Sequence, residues 1–172
     1  GRAAVILDPT KARIALFRGN DPGATDTDSP PAVGHFGWFQ LMVPAPADAA
    51  AFYGALTPWT LVADEAEGAS PQWKASRNGK PAAGIIETPD EANFPPCWLP
   101  YVCVAEVEPV VAKAAALGAE VWVESMDVPG FGRFAVLSQA AGGMIALWTP
   151  EPAEAAEPAA APAPAEGETP EA

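Results

Sequence analysis

Few side chains in this sequence could carry out chemistry, and their spacing narrows the choice further. The single histidine, His35, opens an apolar run, HFGWFQLMV (His35–Val43). A lone imidazole at a strand start reads as a surface or core residue, and no serine–histidine–aspartate arrangement accompanies it. The two cysteines, Cys97 and Cys103, fall on one strand-like run. At ~3.3 Å per residue they stand about 20 Å apart, too far for a disulfide. A reduced compartment is therefore expected, with Cys103 acting as a small hydrophobe. Glu124 and Asp127 precede the loop Gly130-Phe131-Gly132. A carboxylate there could serve as a general base, but a solvated turn acid is the simpler expectation. The Gly-Phe-Gly spacing is no phosphate loop, because no Gly-Lys-Ser/Thr follows it. What the chain has in quantity is tryptophan, with 6 residues of the kind that fill cores and ligand clefts.

The elements that would position these residues follow from periodicity. His35–Val43 reads as a strand. Pro46–Leu56 follows as a helix, with proline in its first turn and Ala50, Phe52, Tyr53 and Leu56 as its apolar positions. Strand-like pieces come next at Trp59–Ala63, Gln72–Ser76 and Pro81–Glu87, and Asn78-Gly79 between the last two marks a hairpin. The order then recurs. Cys97–Val104 is a strand, which Pro100 assigns to a sheet edge or a break. Glu108–Leu117 is a helix, Val121–Val123 a strand, and Arg133–Leu137 with Met144–Trp148 a hairpin around Gly142-Gly143. The chain thus reads β-α-β-β-β twice.

A third, partial copy opens the sequence. GRAAVILDPTKARIALF (Gly1–Phe17) aligns without gaps on GRFAVLSQAAGGMIALW (Gly132–Trp148) at an offset of 131, with seven of seventeen residues identical. Such self-similarity marks a repeated unit, so residues 1–18 are expected to form the terminal hairpin of a preceding, truncated module. Its apolar strands Ala3–Leu7 and Ile14–Phe17 would otherwise be exposed edges, and are expected to pair with this domain's sheet or a neighbouring chain's. Residues 19–32, rich in Gly, Pro, Asp and Ser, form a linker. The body is 33–150, with modules at 33–92 and 95–150. Residues 151–172 are almost all Ala, Pro and Glu and are expected to be a disordered tail.

Composition limits the partners. With 49% of its 172 residues apolar, the chain can fill a sizeable core. Its formal charge is −13, and six of the acids are glutamates of the tail, which leaves about −7 on the rest. An acidic body disfavours nucleic acid and anionic membrane surfaces. No apolar run of about 18 residues exists to span a membrane, and no signal pattern opens the chain, so a cytoplasmic location is expected. The chain begins with Gly rather than Met, so earlier residues are also expected.

Two β-α-β-β-β modules closed by such a hairpin resemble the vicinal-oxygen-chelate superfamily of glyoxalases, bleomycin-resistance proteins and extradiol dioxygenases, and most of all its tandem-domain, glyoxalase-like members. The resemblance is carried by Phe52-Tyr53 on the first helix, Leu117-Gly118-Ala119 after the second, and VPGFGRFAVLSQAAGGMIALW at Val128–Trp148. It implies an α+β fold in which paired βαβββ modules form a U-shaped mixed-sheet cleft that holds ligands and metals. In metal-using members the first and last strand of each module supply one ligand apiece. Carried over, those positions fall on Trp38, Ala83, Pro100 and Ala146, with Ala15 in the partial copy. None offers a side-chain donor to a divalent ion. No metal and no cofactor are therefore expected, which puts the superfamily's Lewis-acid chemistries in doubt.

Period-two alternation places Trp38, Gln40 and Met42 on one face of the first strand, Trp98, Pro100 and Val102 on one face of its counterpart, and Met144, Ala146 and Trp148 on one face of the last strand. The resulting expectation is a cleft walled by Trp38, Trp98 and Trp148, lined by Met42, Val102 and Met144, anchored by Gln40 and covered by Phe131. The competing expectation is that these large side chains fill the cleft. The function expected is metal-free binding of a small apolar or aromatic molecule. Two alternatives stand beside it: a lyase or dioxygenase-type enzyme completed by a preceding domain, and a structural half of a tandem or oligomeric assembly, as a homodimer or with an N-terminal companion.

Overall fold

A computed structural model describes residues 1–20, 31–64, 72–88, 95–139 and 142–151. Most of the expected linker and almost all of the Ala/Pro/Glu tail lie outside the described residues. The order of elements is β1 (Arg2–Leu7), β2 (Arg13–Arg18), β3 (Phe36–Val43), α1 (Pro46–Leu56), β4 (Thr60–Asp64), β5 (Gln72–Arg77), β6 (Lys80–Glu87), β7 (Cys97–Cys103), α2 (Val107–Ala116), β8 (Glu120–Val128), β9 (Gly132–Ser138) and β10 (Met144–Pro150). From β3 onward this is the expected β-α-β-β-β pattern, twice.

The two modules share one eight-stranded sheet, ordered β4-β5-β6-β3-β7-β10-β9-β8. Each module closes on itself through a parallel pair, β3 with β6 and β7 with β10. The first strands β3 and β7 meet antiparallel at the centre, so the halves are related by a pseudo-twofold axis near the Phe39–Pro100 pair. The β5–β6 turn has Asn78 and Gly79 at φ 53° and 76°, the left-handed pair that a two-residue hairpin needs.

Pro100 is therefore in a central strand, not at an edge or break. Alternation explains the tolerance. Cys103 N donates to His35 O on the β3 side, so three residues back the Pro100 nitrogen points towards β10. The β7–β10 ladder starts only at Tyr101, and the missing N–H falls just outside it.

The helices lie on the outer face of the sheet. Leu41, Val43, Ala49, Ala50, Tyr53 and Ile85 pack between sheet and α1, and Val107, Ala135, Leu137 and Leu147 between sheet and α2. The inner face carries a separate cluster of Met42, Leu99, Tyr101, Val136, Ala146 and Trp148.

The opening hairpin does not join the large sheet, as had been one expectation, but forms its own two-stranded ribbon. It docks by its turn. Ala12 is fully buried in the α1 cluster, with Ile14 packed beside it. Buried Asp8 accepts hydrogen bonds through Oδ1 from Thr10 N, Thr10 Oγ1 and Ala12 N, and through Oδ2 from the Tyr53 hydroxyl at 3.1 Å. Tyr53 in turn accepts from Trp98 Nε1 at 3.0 Å. A buried carboxylate is tolerated because its oxygens are paired.

Candidate functional site

The inner face is assembled by the central pairing. Trp38 stands opposite Tyr101 and Gln40 opposite Leu99, and residues directly opposed in a ladder share a face. The β7 residues that join Trp38, Gln40 and Met42 are thus Cys97, Leu99, Tyr101 and Cys103. Trp98 and Val102, expected on this face, point the other way with Pro100. Trp98 instead packs in the helix layer on Tyr53, at a ring-centroid distance of 5.3 Å, and also lines the groove described below. The same correction applies to β6. Gln40 pairs with Gly84, so Gly84 rather than Ala83 lies inward. A Cβ built on Gly84 would stand 3.4 Å from the Trp38 ring and 3.6 Å from Gln40 Nε2, so these side chains lie over bare backbone. Ala146 is inward and fully buried.

One end of this face is filled with aromatic rings. Phe131, from the turn between β8 and β9, stacks on Trp148 at 4.9 Å and 20°. It also meets Tyr101, Trp38 and Phe134 edge-on at 5.6, 6.2 and 6.2 Å. Trp148 Nε1 donates to the Phe131 carbonyl at 2.9 Å, which ties the loop down. Offset and edge-to-face contacts of this kind add to the burial they accompany. The expected cover of the cleft, Phe131, and two of its expected walls, Trp38 and Trp148, are thus part of a plug. Beside it the Tyr101 hydroxyl donates to Gln40 Oε1 at 2.7 Å. Burial pushes the Tyr101 phenol far above its ordinary value, so it remains a neutral donor.

The other end is open. A groove of about 610 Å³ is lined by Cys97, Glu120, Trp122, Ser138, Gln139 and Met144, among others. That volume falls in the range of small-molecule sites. Its walls are largely apolar, and burial raises the pKa of the Cys97 thiol, which keeps it protonated. Of the expected cleft residues Met144 and Trp98 line this groove, and Met42 is buried in the inner cluster. Sequence reading missed Tyr101, Leu99, Cys97 and Trp122. The first three lie on the face of β7 that had been assigned outward, and Trp122 lies in a strand expected to be much shorter.

Two carboxylates near the Phe131 loop, Asp127 and Glu108, are held in ion pairs with Arg133. Arg133 donates to both Asp127 oxygens, at 2.8 and 2.7 Å, and also to Glu108, which accepts from Ser125 Oγ as well. The hydrogen bond from Ser125 and the one from Arg133 hold the Glu108 and Asp127 carboxyls, respectively, below their usual range. Asp127 thus fits a surface ion pair better than a base. Among the described residues no cluster of three or more His, Cys, Asp or Glu could hold a metal. With the inward register corrected, the positions equivalent to metal ligands are Trp38, Gly84, Leu99 and Ala146, which do not fit a divalent ion. Exposed His35 belongs to no such cluster among the described residues.

Comparison with known proteins gives the arrangement a context. The chain is 33% identical over 153 residues to CFP32 of Mycobacterium tuberculosis, whose name assigns it provisionally to the glyoxylases; the match covers 88% of this chain and 57% of that protein. It is 32% identical over 133 residues to the anthracycline biosynthesis protein DnrV of Streptomyces peucetius, covering 70% and 48% respectively. The chain thus spans about half the length of the curated relatives it matches. No protein-family model matches it. Among solved structures, methylmalonyl-CoA epimerase from M. tuberculosis superposes with a TM-score of 0.51 at 15% identity, over 73% of this chain and 94% of that one, which is a likeness of fold. The paired βαβββ sheet is the fold of the vicinal-oxygen-chelate superfamily, and the chain is similar in sequence to a provisionally named glyoxylase and to an anthracycline biosynthesis protein.

Proposed function

We propose that this domain binds a small, planar, largely apolar molecule in the open half of its inner face, without a metal. The observation that carries this reading is the division of that face. The positions that would hold a metal carry Trp38, Gly84, Leu99 and Ala146, yet a groove of about 610 Å³ persists beside them. Met144 and Trp122 offer apolar and stacking surface, and Ser138, Gln139 and Glu120 offer polar contacts at the rim. The printed name of one relative concerns anthracycline biosynthesis, which makes a polycyclic aromatic a reasonable first probe.

Titration of an anthracycline, followed by its own fluorescence anisotropy, tests this directly. Saturable micromolar binding that is weakened about tenfold by Met144→Asp is expected, with a matching rise in melting temperature on ligand addition. Binding untouched by that substitution would place the ligand elsewhere, and no binding by any planar aromatic would sink the reading.

A second reading, an enzyme completed by residues outside this chain, is favoured by the length of the relatives. Stoichiometric zinc, nickel, iron or manganese on this chain would support the enzyme.

A further inference from the structure

The open groove carries charge of one sign, and the strand pairing shows where that charge stands. Met144 lies opposite Ser138, and Ser138 opposite Glu120. Directly opposed residues share a face, so these three form a row across β10, β9 and β8. Met144 shares its face with Ala146 and Trp148 of the inner cluster, so the row lies on the inner face. All three residues line the groove. At ~4.8 Å between neighbouring strands, the backbone of Glu120 stands about 10 Å from that of Met144.

The ladder then breaks. Val121 pairs with Leu137, in the cluster against α2, and Val123 pairs with Val136, in the inner cluster. Trp122 is the extra residue between them, a β-bulge that interrupts the alternation of faces. Both residues after Val121 can therefore serve the inner side. Val123 packs on the inner cluster, and Trp122, 40% exposed, lines the groove two residues from Glu120.

Among the described residues that line the groove, Glu120 is the one charged side chain. The Cys97 thiol stays neutral, because burial raises its pKa. Arg133 neutralises Asp127 and Glu108, but Glu120 has no ion-pair partner among the described residues. The wider field has the same sign, with 22 acids against 9 bases in the chain. A carboxylate beside an indole suits a cation borne on a ring system: the charge meets the carboxylate, and the indole attracts both ring and cation. An anion would meet repulsion from Glu120 with no base in the described lining to offset it.

We propose that the groove selects planar aromatic molecules that carry a positive charge, with the Glu120 carboxylate as counter-charge and Trp122 as the adjoining stacking surface. This rests on the reading of the groove as the binding site, and adds the sign of the ligand's charge. The Ser138 hydroxyl, between Glu120 and Met144 in the row, is placed to accept a hydrogen bond from the same cation.

Three probes of similar shape separate charge from fit. Near neutral pH 9-aminoacridine is a cation, acridine is neutral, and anthracene-9-carboxylate is an anion. Titration followed by probe fluorescence should give affinities in that order, with the cation about tenfold tighter than acridine. Glu120→Gln should bring the cation to within about twofold of acridine and leave acridine unchanged. Glu120→Lys should place the anion above the cation. Asp48→Asn makes the same change in net charge on α1, away from the groove, and should leave the order intact. Acridine, whose binding Met144→Asp should weaken, reports the groove by itself. Equal affinities for cation and acridine would overturn the charge assignment and leave groove binding standing. So would a loss in Glu120→Gln shared equally by all three probes, or a preference that Asp48→Asn removes as well. No binding by any of the three would overturn both readings.

Discussion

The Tyr101 hydroxyl donates to Gln40 Oε1 across the two central strands, and this 2.7 Å bond is a polar side-chain contact between the modules on the inner face. It holds the Gln40 amide beside Gly84, where a built Cβ would stand 3.6 Å from Gln40 Nε2. Tyr101→Phe should cost about 1 kcal/mol, the usual worth of a bond whose acceptor can turn to water. Gln40 is only partly buried, so the loss should stay at that level. Chemical denaturation checks it, and a loss several times larger would mean that the pair holds the modules together.

The Asp8–Tyr53–Trp98 chain should matter more, because Asp8 is buried. Asp8→Ala removes the acceptor of two turn amides and of the Tyr53 hydroxyl, and bonds to a charged group are worth about 1.5–3 kcal/mol. A fall in stability of about 2 kcal/mol or more is expected, together with faster proteolysis within Gly1–Arg18. Unchanged proteolysis would show that Ala12 and Ile14 alone hold the hairpin.

High pH should unfold the protein partly through its tyrosines. Burial, with the nearby Asp8 charge adding to it, raises the Tyr53 pKa to about 12. A raised folded-state value means that stability is fully present below the unfolded value near 10 and is lost as pH climbs towards 12. The amount is on the order of 2 kcal/mol. Phenolate absorbance followed beside circular dichroism should show Tyr53 ionising with unfolding, and Tyr53→Phe should flatten that part of the alkaline loss.

Phe131 is the removable part of the plug. Phe131→Ala deletes a ring in contact with Trp148, Trp38, Tyr101 and Phe134, and should cost about 3 kcal/mol. If the plug bounds the binding groove, the variant should also admit larger aromatics. Titration with two ring sizes reads that gain, and unchanged size selectivity would separate plug from groove.

Two glycines on β9–β10 should respond differently. Gly132 sits at φ +113°, and a Cβ there would stand 2.3 Å from the Thr149 carbonyl oxygen. Gly132→Ala should therefore cost more than about 2 kcal/mol, through strain and displaced backbone. Gly142 sits at φ +87° with open space around it, and Lys11 occupies the matching position in the first hairpin. Gly142→Asn should cost less than about 1 kcal/mol, since Asn tolerates this region. Melting temperatures of the two variants give the comparison.

The element order was legible because local signals agreed. Proline at the start of α1 set its boundary, Asn78-Gly79 set the β5–β6 hairpin, and the repeat of Gly1–Phe17 on Gly132–Trp148 foretold a shared register. The inward face of β7 was not legible. CWLPYVC is apolar on both sides because the strand packs on helices on one face and on the cleft cluster on the other. A strand buried on both faces shows no alternation to read. The partner of Asp8 was hidden for another reason: Tyr53 lies 45 residues away in the sequence.

Sequence by itself thus determined two βαβββ modules and a partial copy of the closing hairpin at the start of the chain. The tertiary structure decided which side of β7 faces the cleft, because side chains alternate with a period of two and a one-residue uncertainty exchanges Pro100 for Tyr101. It also decided that the cleft is half plugged and half open. That depended on where the Phe131 loop folds, and the position of a loop follows from the surfaces it meets rather than from any periodicity of its own.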